Sequence, residues 1–274
     1  MSRKYKVGFI GCGNMGFAML SGLISSGQVK ASEVIASEKF KPSKKKASDL
    51  GVAVTEENEE LVKDSDVIFL VVKPYQQEEV YPAIRENLSP DQILISVAAG
   101  VSVTTVEQAC ISIDVAGKIK VVRAMPNTPA LVGEGMTALA VNSNVTEEDQ
   151  KLILSYFNAF GKARIVSESL MDVVTGLSGS SPAFVYMFIE AMADAAVAEG
   201  MQRADAYEFA AQTVRGAATM VLETGQHPGA LKDAVCSPGG TTIEGVCALE
   251  SAGFRPAVID AVTAATDRSR EMGK

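Results

Sequence analysis

The chain has 274 residues, of which 47% are hydrophobic and 21% are charged, with a formal net charge of −8. This composition excludes a disordered chain and suffices for one large domain or two smaller ones, while the acidic balance argues against a nucleic acid or an anionic membrane as partner. The most apolar runs, Val67–Val72 and Phe184–Ile189, are six residues long, well below the roughly 18 that predict a membrane helix.

The histidine and cysteine content predicts neither a metal site nor a disulfide framework. The chain has one histidine, His227, and four cysteines that form no Cys-x-x-Cys pair. The cysteines are Cys12, Cys110, Cys236 and Cys247. Such thiols are typical of a reducing compartment, and the six residues before the first predicted strand leave little room for a targeting segment. We therefore expect a cytoplasmic protein without a bound metal.

The first part of the chain alternates short β-branched segments with stretches of helix length, such as Met15–Ser26 and Pro42–Leu50. Eight segments have the composition of strands: Val7–Ile10, Val34–Ser37, Val52–Val54, Val67–Val72, Ile93–Val97, Val121–Met125, Met136–Val141 and Ala163–Val166. Strands that alternate with helices are typical of a parallel sheet with helices on both faces. Residues 1–166 are therefore predicted to form an α/β domain with a doubly wound, Rossmann-like parallel sheet.

Residues 167–274 are predicted to form an all-α domain. Ser181-Pro182 has the pattern of an N-cap followed by proline in the first helical turn, and the segment Ala183–Ile189 after it is apolar nearly all round. Such a helix is expected to be buried on more than one side, which favours oligomerisation over a compact bundle of a single chain. Further helices are predicted at Ala204–Glu223, Gly229–Val235, Thr242–Ser251 and Pro256–Arg270.

A glycine-rich turn follows the first strand and precedes a helix, in the pattern Gly11-x-Gly13-x-x-Gly16. Gly11 permits the tight turn, Gly13 permits the backbone to approach a pyrophosphate, and Gly16 permits close packing of helix and strand. The unpaired N–H groups at the start of the helix would then face the anion. This context predicts a dinucleotide-binding site.

The end of the second strand bears on the choice between NADPH and NADH. An NAD site usually has an acid there for the ribose 2′-hydroxyl, whereas this position falls on Ser37, with Glu38 one place later. Five lysines lie in the next eight residues, at Lys39, Lys41, Lys44, Lys45 and Lys46. Most of them are expected to belong to a solvated helix face, but Ser37 with one or two lysines would suit a 2′-phosphate. The sequence therefore favours NADPH, with NADH as a weaker alternative.

Two further loops follow predicted strands, at the edge where open α/β sheets bind ligands. Lys73-Pro74 follows the fourth strand, and Pro126–Pro129 follows the sixth. The prolines make these turns rigid, and Asn127 and Thr128 have side chains that can bond to a ribose or a carboxamide. Ordinary turn chemistry accounts for each loop taken singly, but together with the glycine turn they outline one cofactor cleft.

The helical part contains a second polar loop, Ser237–Thr242, with the sequence Ser-Pro-Gly-Gly-Thr-Thr. Its backbone N–H groups lie at the start of a helix beside three hydroxyls, which suits a small carboxylate. A plain helix cap, with Thr241 or Thr242 as N-cap, is the alternative interpretation. His227 precedes a proline and is more typical of the start of a helix than of a general acid.

Together these segments resemble the Δ1-pyrroline-5-carboxylate reductases over essentially the whole chain. The resemblance is carried by Gly8–Gly16, Val72–Pro74, Ser96–Gly100, Arg123–Pro129, Thr175–Ala183 and, most specifically, Leu231–Thr242. It implies that the chain reduces Δ1-pyrroline-5-carboxylate, a cyclic imino carboxylate, to L-proline with NADPH, the last step of proline biosynthesis. It also implies a helical domain that forms interlocked dimers, which join into larger rings as a decamer built from dimers.

The resemblance further implies which residues contact each ligand. The cofactor side comprises Ile10, Gly11, Cys12, Gly13, Asn14, Met15, Ser37, Lys46, Asn58, Val71, Val72, Lys73, Pro74, Val97, Ala98, Ala99, Asn127 and Thr128. The substrate side comprises Glu168, Ala234, Ser237, Gly239, Gly240, Thr241 and Thr242. The Thr242 hydroxyl is expected near the ring nitrogen, which makes it the candidate catalytic residue. A protonated cyclic imine is already electrophilic, so no indispensable acid or base is expected.

Three other functions are compatible with parts of this pattern. A 3-hydroxyacid dehydrogenase needs Lys and Asn for proton transfer, and the corresponding places here are the apolar Val185 and Phe188. A reductase acting on another imine would share the same sites. A non-catalytic NADPH sensor would need no carboxylate loop, so the presence of Ser237–Thr242 argues against a sensor.

Overall fold

The computed structural model describes residues 3–111 and 117–273, which divide into two compact units. The first unit comprises Met1–Gly179 together with Ala264–Lys274, and the second comprises Ser180–Thr263. The predicted domain boundary at residue 166 marks the end of the strands, whereas the compact units divide at Gly179. The difference arises because residues beyond the last strand pack within the first unit: Met171 is fully buried in its core, and the Ser269 hydroxyl donates to the Asp172 carboxylate at 2.7 Å.

Eight strands form one sheet with the order β3-β2-β1-β4-β5-β6-β7-β8. The strands are β1 Tyr5–Ile10, β2 Val34–Ser37, β3 Ala53–Thr55, β4 Ser65–Leu70, β5 Ile93–Ser96, β6 Lys120–Met125, β7 Gly135–Val141 and β8 Gly161–Ile165. Each of the eight predicted strands is present, and the predicted α/β class with a Rossmann-like sheet is confirmed. Their β-branched and aromatic residues suit strands that are buried on both faces.

The sheet departs from the prediction at β7, which runs antiparallel to β6. Parallel neighbours need a crossover connection, usually a helix. The segment between β6 and β7 contains only a short 3₁₀ helix, Thr128–Val132, so the chain turns back directly. A full helix follows β7, and β8 is accordingly parallel to β7. The expectation of an entirely parallel sheet is therefore wrong at this one pairing.

Helices cover both faces of the sheet in the first unit. They are α1 Asn14–Ser25, α2 Lys41–Asp49, α3 Asn58–Asp64, α4 Pro74–Asn87, α5 Val103–Cys110, α6 Glu147–Phe157 and α7 Met171–Val174. One core cluster includes the stacked rings of Phe9 and Phe69, whose centroids are 4.7 Å apart. A second cluster contains the alternate strand residues Ile10 and Ile68. Burial of such a side chain contributes about 1.5–3 kcal/mol.

This topology creates a crevice beyond the carboxyl end of β1. The chain passes from β1 to β2 on one side and later places β4 on the other side. Helical connections therefore leave in opposite directions at this point, which is where open α/β sheets bind their ligands. The ends of β1, β4 and β5 face this crevice because all three strands are parallel.

The second unit is made of helices only in its described residues. They are α8 Ser181–Ala198, α9 Arg203–Thr224, α10 Pro228–Val235, α11 Thr241–Ser251 and most of α12 Phe254–Met272. The prediction that Ser181 is an N-cap is wrong, because a π-helical turn, Thr175–Ser180, already leads into α8. Proline is tolerated where such a turn interrupts the regular hydrogen bonds.

The continuous helix Glu168–Ala198 is long and apolar enough, by length and composition, to cross a membrane. The sequence analysis counted consecutive apolar residues and did not detect this helix, because polar side chains interrupt the apolar runs. The mean hydropathy over 18 residues detects it, since a mean tolerates scattered polar side chains. Of that apolar window, 6% is buried within the single chain. One such helix is weak grounds for a membrane span, since a helix covered by a partner subunit has the same composition.

Large apolar side chains of the second unit are exposed in the single chain. Met187 on α8 is 68% exposed, Phe209 on α9 is 66% exposed, and Ile259 on α12 is 64% exposed. The expected burial of the apolar helix on several sides is therefore not met within one chain. Many large apolar side chains exposed in one helical unit are typical of an interface with another protein.

We expect the substitution Met187→Asp to weaken self-association, because an unpaired carboxylate would have to be buried among apolar side chains. The mass measured by size-exclusion chromatography with light scattering should fall towards that of one chain at micromolar concentration. Leu152→Asp, at an exposed apolar residue of α6 in the first unit, is the matched control. An unchanged mass for Met187→Asp would place the interface elsewhere.

Candidate functional site

A cleft of about 550 Å³ lies at the carboxyl ends of β1, β4 and β5. It is lined by Gly13, Asn14, Met15, Gly16, Val71, Val72, Lys73, Pro74, Val97, Ala98, Ala99, Thr128, Leu131 and Met272. Eleven of these were expected on the cofactor side; Gly16 was expected only as a packing glycine. Leu131 and Met272 were not expected, because neither lies in a motif of the sequence.

A smaller pocket of about 120 Å³ lies at the ends of β1 and β2. It shares Val72 with the larger cleft and is lined further by Ile10, Gly11, Ser37, Glu38, Lys39, Asn58, Gln76, Glu79 and Val80. The structure therefore places all of the expected cofactor residues on these two surfaces except Cys12, Lys46 and Asn127. Within an α/β sheet, a larger and a smaller cavity that share a lining residue suit the two halves of a dinucleotide.

The geometry of the glycine turn explains the spacing of its glycines. Gly11 has a φ of +93°, and its N–H donates to the Ser37 carbonyl at 3.0 Å. A Cβ at Gly16 would lie 2.3 Å from the Gly11 carbonyl oxygen, whereas a Cβ at Gly13 would meet nothing within 4 Å. Gly11 and Gly16 are therefore needed by the protein itself, and the open space at Gly13 is available to a ligand.

The start of α1 is suited to an anion. Gly13 is its N-cap, and no side chain caps the helix. The first N–H groups of α1 consequently have no partner from the helix and carry the positive end of its dipole. This arrangement favours a pyrophosphate beside Asn14 and Met15.

Glu38 accepts two hydrogen bonds from backbone N–H groups at the smaller pocket. Its carboxylate accepts from the Cys12 N–H at 2.8 Å and from the Phe40 N–H at 2.8 Å. Ser37, beside it, donates its hydroxyl proton to the Asn58 side-chain oxygen at 2.6 Å. The hydroxyl expected to meet a 2′-phosphate is thus bonded within the protein, and the acid that follows it reaches back to the glycine turn.

Cys12 takes part through its backbone and not through its thiol. The residue is 1% exposed, and burial, followed by the charge of Glu38, raises the pKa of its thiol to about 12. A thiol of this kind stays protonated and unreactive at neutral pH. The backbone N–H of Cys12 therefore holds Glu38 in place, and its thiol takes no part in chemistry at the site.

The lysines beyond β2 are mostly engaged elsewhere. Lys44 pairs with Glu56 at 2.7 Å, and Lys45 pairs with Asp49 at 2.8 Å. The Lys46 ammonium lies 5.8 Å from the centre of the Phe17 ring, outside the residues that line the smaller pocket. Lys39 is the one of the five lysines that lines this pocket in the described part of the chain.

Both polar atoms of the Asn127 side-chain amide form hydrogen bonds with the backbone. Its nitrogen donates to the Ser178 carbonyl at 3.0 Å, and its oxygen accepts from the Met136 N–H at 2.8 Å. The residue is 9% exposed. Asn127 therefore links the turn after β6 to the π-helical turn and to β7, and it positions the neighbouring Thr128, which lines the cleft.

The polar loop of the second unit forms a tight turn. The Gly240 N–H donates to the Ser237 carbonyl at 3.0 Å, Pro238 and Gly239 lie between them, and Gly239 has a φ of +65°, as a type II turn requires. Gly240 is the N-cap of α11, without a side-chain cap. The alternative with Thr241 or Thr242 as N-cap is therefore wrong, and neither hydroxyl has a hydrogen-bond partner within the described residues.

The structure also places His227 and the two remaining residues expected on the substrate side, Glu168 and Ala234. His227 is the N-cap of α10, with its Nδ1 accepting from the Gly229 N–H at 3.0 Å, as its place before a proline suggested. Ala234 is exposed on α10. The Glu168 carboxylate accepts from the Val103 N–H at 2.6 Å and lies 3.5 Å from the Arg123 guanidinium. The sequence motif that contains Arg123 does not predict that this residue is buried, whereas in the structure it is 6% exposed.

No cluster of three or more potential metal ligands occurs among residues 3–111 and 117–273. All four cysteines are free.

The Rossmann-like sheet, the glycine turn and the cleft together define a dinucleotide-dependent oxidoreductase. Two family models match the chain: "NADP oxidoreductase coenzyme F420-dependent" over residues 6–100 and "Pyrroline-5-carboxylate reductase dimerisation" over residues 168–272. The second match supports self-association of the helical part.

Known proteins make the assignment more specific. The pyrroline-5-carboxylate reductase of Escherichia coli is 50% identical over 98% of both chains, and that of Arabidopsis thaliana is 41% identical over 100% of this chain and 97% of its own. A solved Plasmodium falciparum pyrroline carboxylate reductase with NADP bound is 34% identical, with a TM-score of 0.86 over 100% of both chains. The Coxiella burnetii enzyme reaches a TM-score of 0.90 over 99% of both chains, at 34% identity. The chain belongs to the pyrroline-5-carboxylate reductase family.

Proposed function

We propose that this protein reduces Δ1-pyrroline-5-carboxylate to L-proline with NADPH, the last step of proline biosynthesis. The observation that carries the proposal is the Ser237–Thr242 loop. In a chain of this family, it presents the start of a helix and hydroxyls that have no hydrogen-bond partner among the described residues. A 3-hydroxyacid dehydrogenase finds no support, because Val185 and Phe188 are apolar at the places where that chemistry needs Lys and Asn.

The described residues fit a dinucleotide. Gly13 leaves open space beside the uncapped start of α1, so the pyrophosphate would be held by backbone N–H groups of Asn14 and Met15. Val71, Val72 and Ala98 give the larger cleft an apolar wall for a nicotinamide ring. When bound, NADPH supplies a hydride to the carbon of the substrate imine.

The Ser237–Thr242 loop is proposed to hold the substrate carboxylate. The type II turn leads directly into the uncapped start of α11 at Gly240. The first N–H groups of α11, together with the Ser237 and Thr241 hydroxyls, would then donate to the carboxylate. Charge-assisted hydrogen bonds of this kind are about twice as strong as neutral ones. The loop would orient the imine and leave the Thr242 hydroxyl for its ring nitrogen.

The reaction places small demands on acid–base chemistry. The imine enters protonated, gains a hydride at carbon, and leaves as an amine that takes its further proton from water. The protein's contribution is to position two reactants, a source of rate enhancement that needs no titratable side chain. This agrees with a loop made of hydroxyls and glycines.

We expect Thr242→Ala to lower kcat/KM for the imine by about 10- to 100-fold, the scale of losing one hydrogen bond to a charged group. Thr242→Ser, which keeps the hydroxyl, should retain most of the activity. The measurement is imine-dependent oxidation of NADPH at 340 nm, with circular dichroism to verify folding. Complete loss of activity in a folded Thr242→Ala variant would contradict this role, because it would make Thr242 indispensable.

The same assay tests the proposed function directly. NADPH oxidation that requires Δ1-pyrroline-5-carboxylate, with proline as the product, is the expected result. If NADPH bound without turnover of this imine, the assignment of the cleft to NADPH would stand, and the assignment of Δ1-pyrroline-5-carboxylate as the substrate would be wrong. The loop would then serve another imino carboxylate, or the protein would be a sensor of NADPH.

We also infer that dimers of the chain join into a decamer and that the enzyme is cytoplasmic. Exposed apolar side chains on α8, α9 and α12 support an assembly larger than one chain, and four free cysteines suit a reducing compartment. Light scattering of the native enzyme should give the mass of ten chains. A mass of two chains would limit the assembly to the dimer.

A further inference from the structure

The smaller pocket has a charge that does not suit a 2′-phosphate. Its charged lining residues are Glu38, Glu79 and Lys39, which give a formal charge of −1. Lys44, Lys45 and Lys46 are engaged outside the pocket. A phosphate monoester carries about −1.5 to −2 at neutral pH, so the adenosine end of NADPH would meet a net negative surface there.

Glu38 is the carboxylate that the fold holds in place. Its bonds to the N–H groups of Cys12 and Phe40, both at 2.8 Å, tie the residue after β2 to the glycine turn. An ionised carboxylate has about four lone-pair sites, and two of them are used by these bonds. The remaining sites are available for the proton of a ribose hydroxyl, the role of an acid at the end of β2 in NAD-binding sheets.

We propose that Glu38 sets the preference between NADPH and NADH, by disfavouring the 2′-phosphate and accepting a hydrogen bond from the free 2′-hydroxyl. NADH is then a usable second cofactor of this enzyme, because Glu38 binds its free 2′-hydroxyl. The inference rests on the proposed function only in assigning the two cavities to a dinucleotide.

The same geometry has a purely structural interpretation, in which Glu38 only ties the turn after β2 to the glycine turn. The two interpretations differ in what they predict for the two cofactors. A structural tie affects NADPH and NADH alike, because both place their pyrophosphate at the same turn. A selective carboxylate affects them in opposite directions.

The test is the substitution Glu38→Gln, followed by the dissociation constants of both cofactors. Because the chain contains no tryptophan, binding is measured by isothermal titration calorimetry or by the fluorescence of the reduced cofactor. We expect NADPH to bind several-fold more tightly and NADH several-fold more weakly, so that the NADH-to-NADPH ratio of dissociation constants rises about tenfold. The rise should shrink at 0.5 M salt, since ions screen charges at a partly exposed site.

Glu59→Gln is the matched control, because it removes the same charge from an exposed position next to Asn58 and outside the pocket. Its ratio should stay within about twofold of the native one. An unchanged ratio in Glu38→Gln, with both constants raised together, would overturn the proposal and leave Glu38 as a structural tie. A fall in the ratio would overturn it as well.

The binding measurement does not depend on the substrate. If Δ1-pyrroline-5-carboxylate were not reduced at all, the two dissociation constants would still report on Glu38. Conversely, the native enzyme could reduce the imine while Glu38→Gln left the NADH-to-NADPH ratio of dissociation constants unaltered. The proposed function would then stand, and the inference about Glu38 would be wrong.

Discussion

Replacement of Gly240 by valine should abolish turnover of the imine while leaving NADPH binding intact. A Cβ at this position would lie 2.3 Å from the Ser237 hydroxyl oxygen and 3.2 Å from the Ser237 carbonyl oxygen. The hydroxyl must therefore turn away, and the branched side chain fills the space between the turn and the start of α11. We expect kcat/KM to fall by about 100-fold or more, because small displacements of a positioned substrate have effects of that size.

The backbone conformation of Gly240 is compatible with valine, so the variant tests the function of the loop and not the ability of the chain to fold. Its φ of −82° and ψ of 169° are ordinary values for any residue, so valine introduces no backbone strain. Gly245→Val on α11, where a Cβ would meet nothing within 4 Å, is the matched control and should keep its activity. If Gly240→Val lost NADPH binding together with turnover, the cofactor cleft and the carboxylate loop would not be separate subsites.

The second large effect is expected at Gly13, where valine should raise the dissociation constant of NADPH by about 100-fold without destabilising the protein. Gly13 has a φ of −62° and a ψ of −170°, and a Cβ there would meet no protein atom within 4 Å. The space is required only by a ligand that approaches the turn. Calorimetry of NADPH binding and the thermal unfolding temperature are the two measurements.

Gly16→Ala provides the contrast within the same turn. Its Cβ would lie 2.3 Å from the Gly11 carbonyl oxygen, so this variant should lose thermal stability as well as NADPH binding. Normal NADPH binding in a stable Gly13→Val variant would mean that the pyrophosphate does not approach this turn. The assignment of the cleft to a dinucleotide would then be wrong.

Local patterns predicted most of the secondary structure of this chain. The β-branched runs located all eight strands, because a buried parallel strand needs continuous apolar residues. The direction of β7 was missed, since direction depends on which element fills a connection and on the neighbour that the strand meets. The prediction of an N-cap at Ser181 was wrong for a related reason. Ser181-Pro182 has the sequence pattern of a cap, but the chain before these residues is already helical.

The candidate site was predicted in outline and not in its hydrogen bonds. The spacing of Gly11, Gly13 and Gly16 located the turn, and most residues that were expected on the cofactor side line the two cavities. Cys12, one of the two partners of Glu38, lies 26 residues away in the chain, and the Ser178 carbonyl bonded by Asn127 lies 51 residues away. No local pattern encodes such pairs.

The sequence by itself determined the class of fold, the glycine turn, the polar loop and the excess of apolar helix surface, because each depends on residue types at short spacing. Only the tertiary structure decided which side chains are free to meet a ligand. It showed Ser37 and Asn127 bonded within the protein, Lys46 outside the pocket and Glu38 inside it. The physical reason is that hydrogen-bond partners and pocket charge are set by segments that folding brings together from distant parts of the chain.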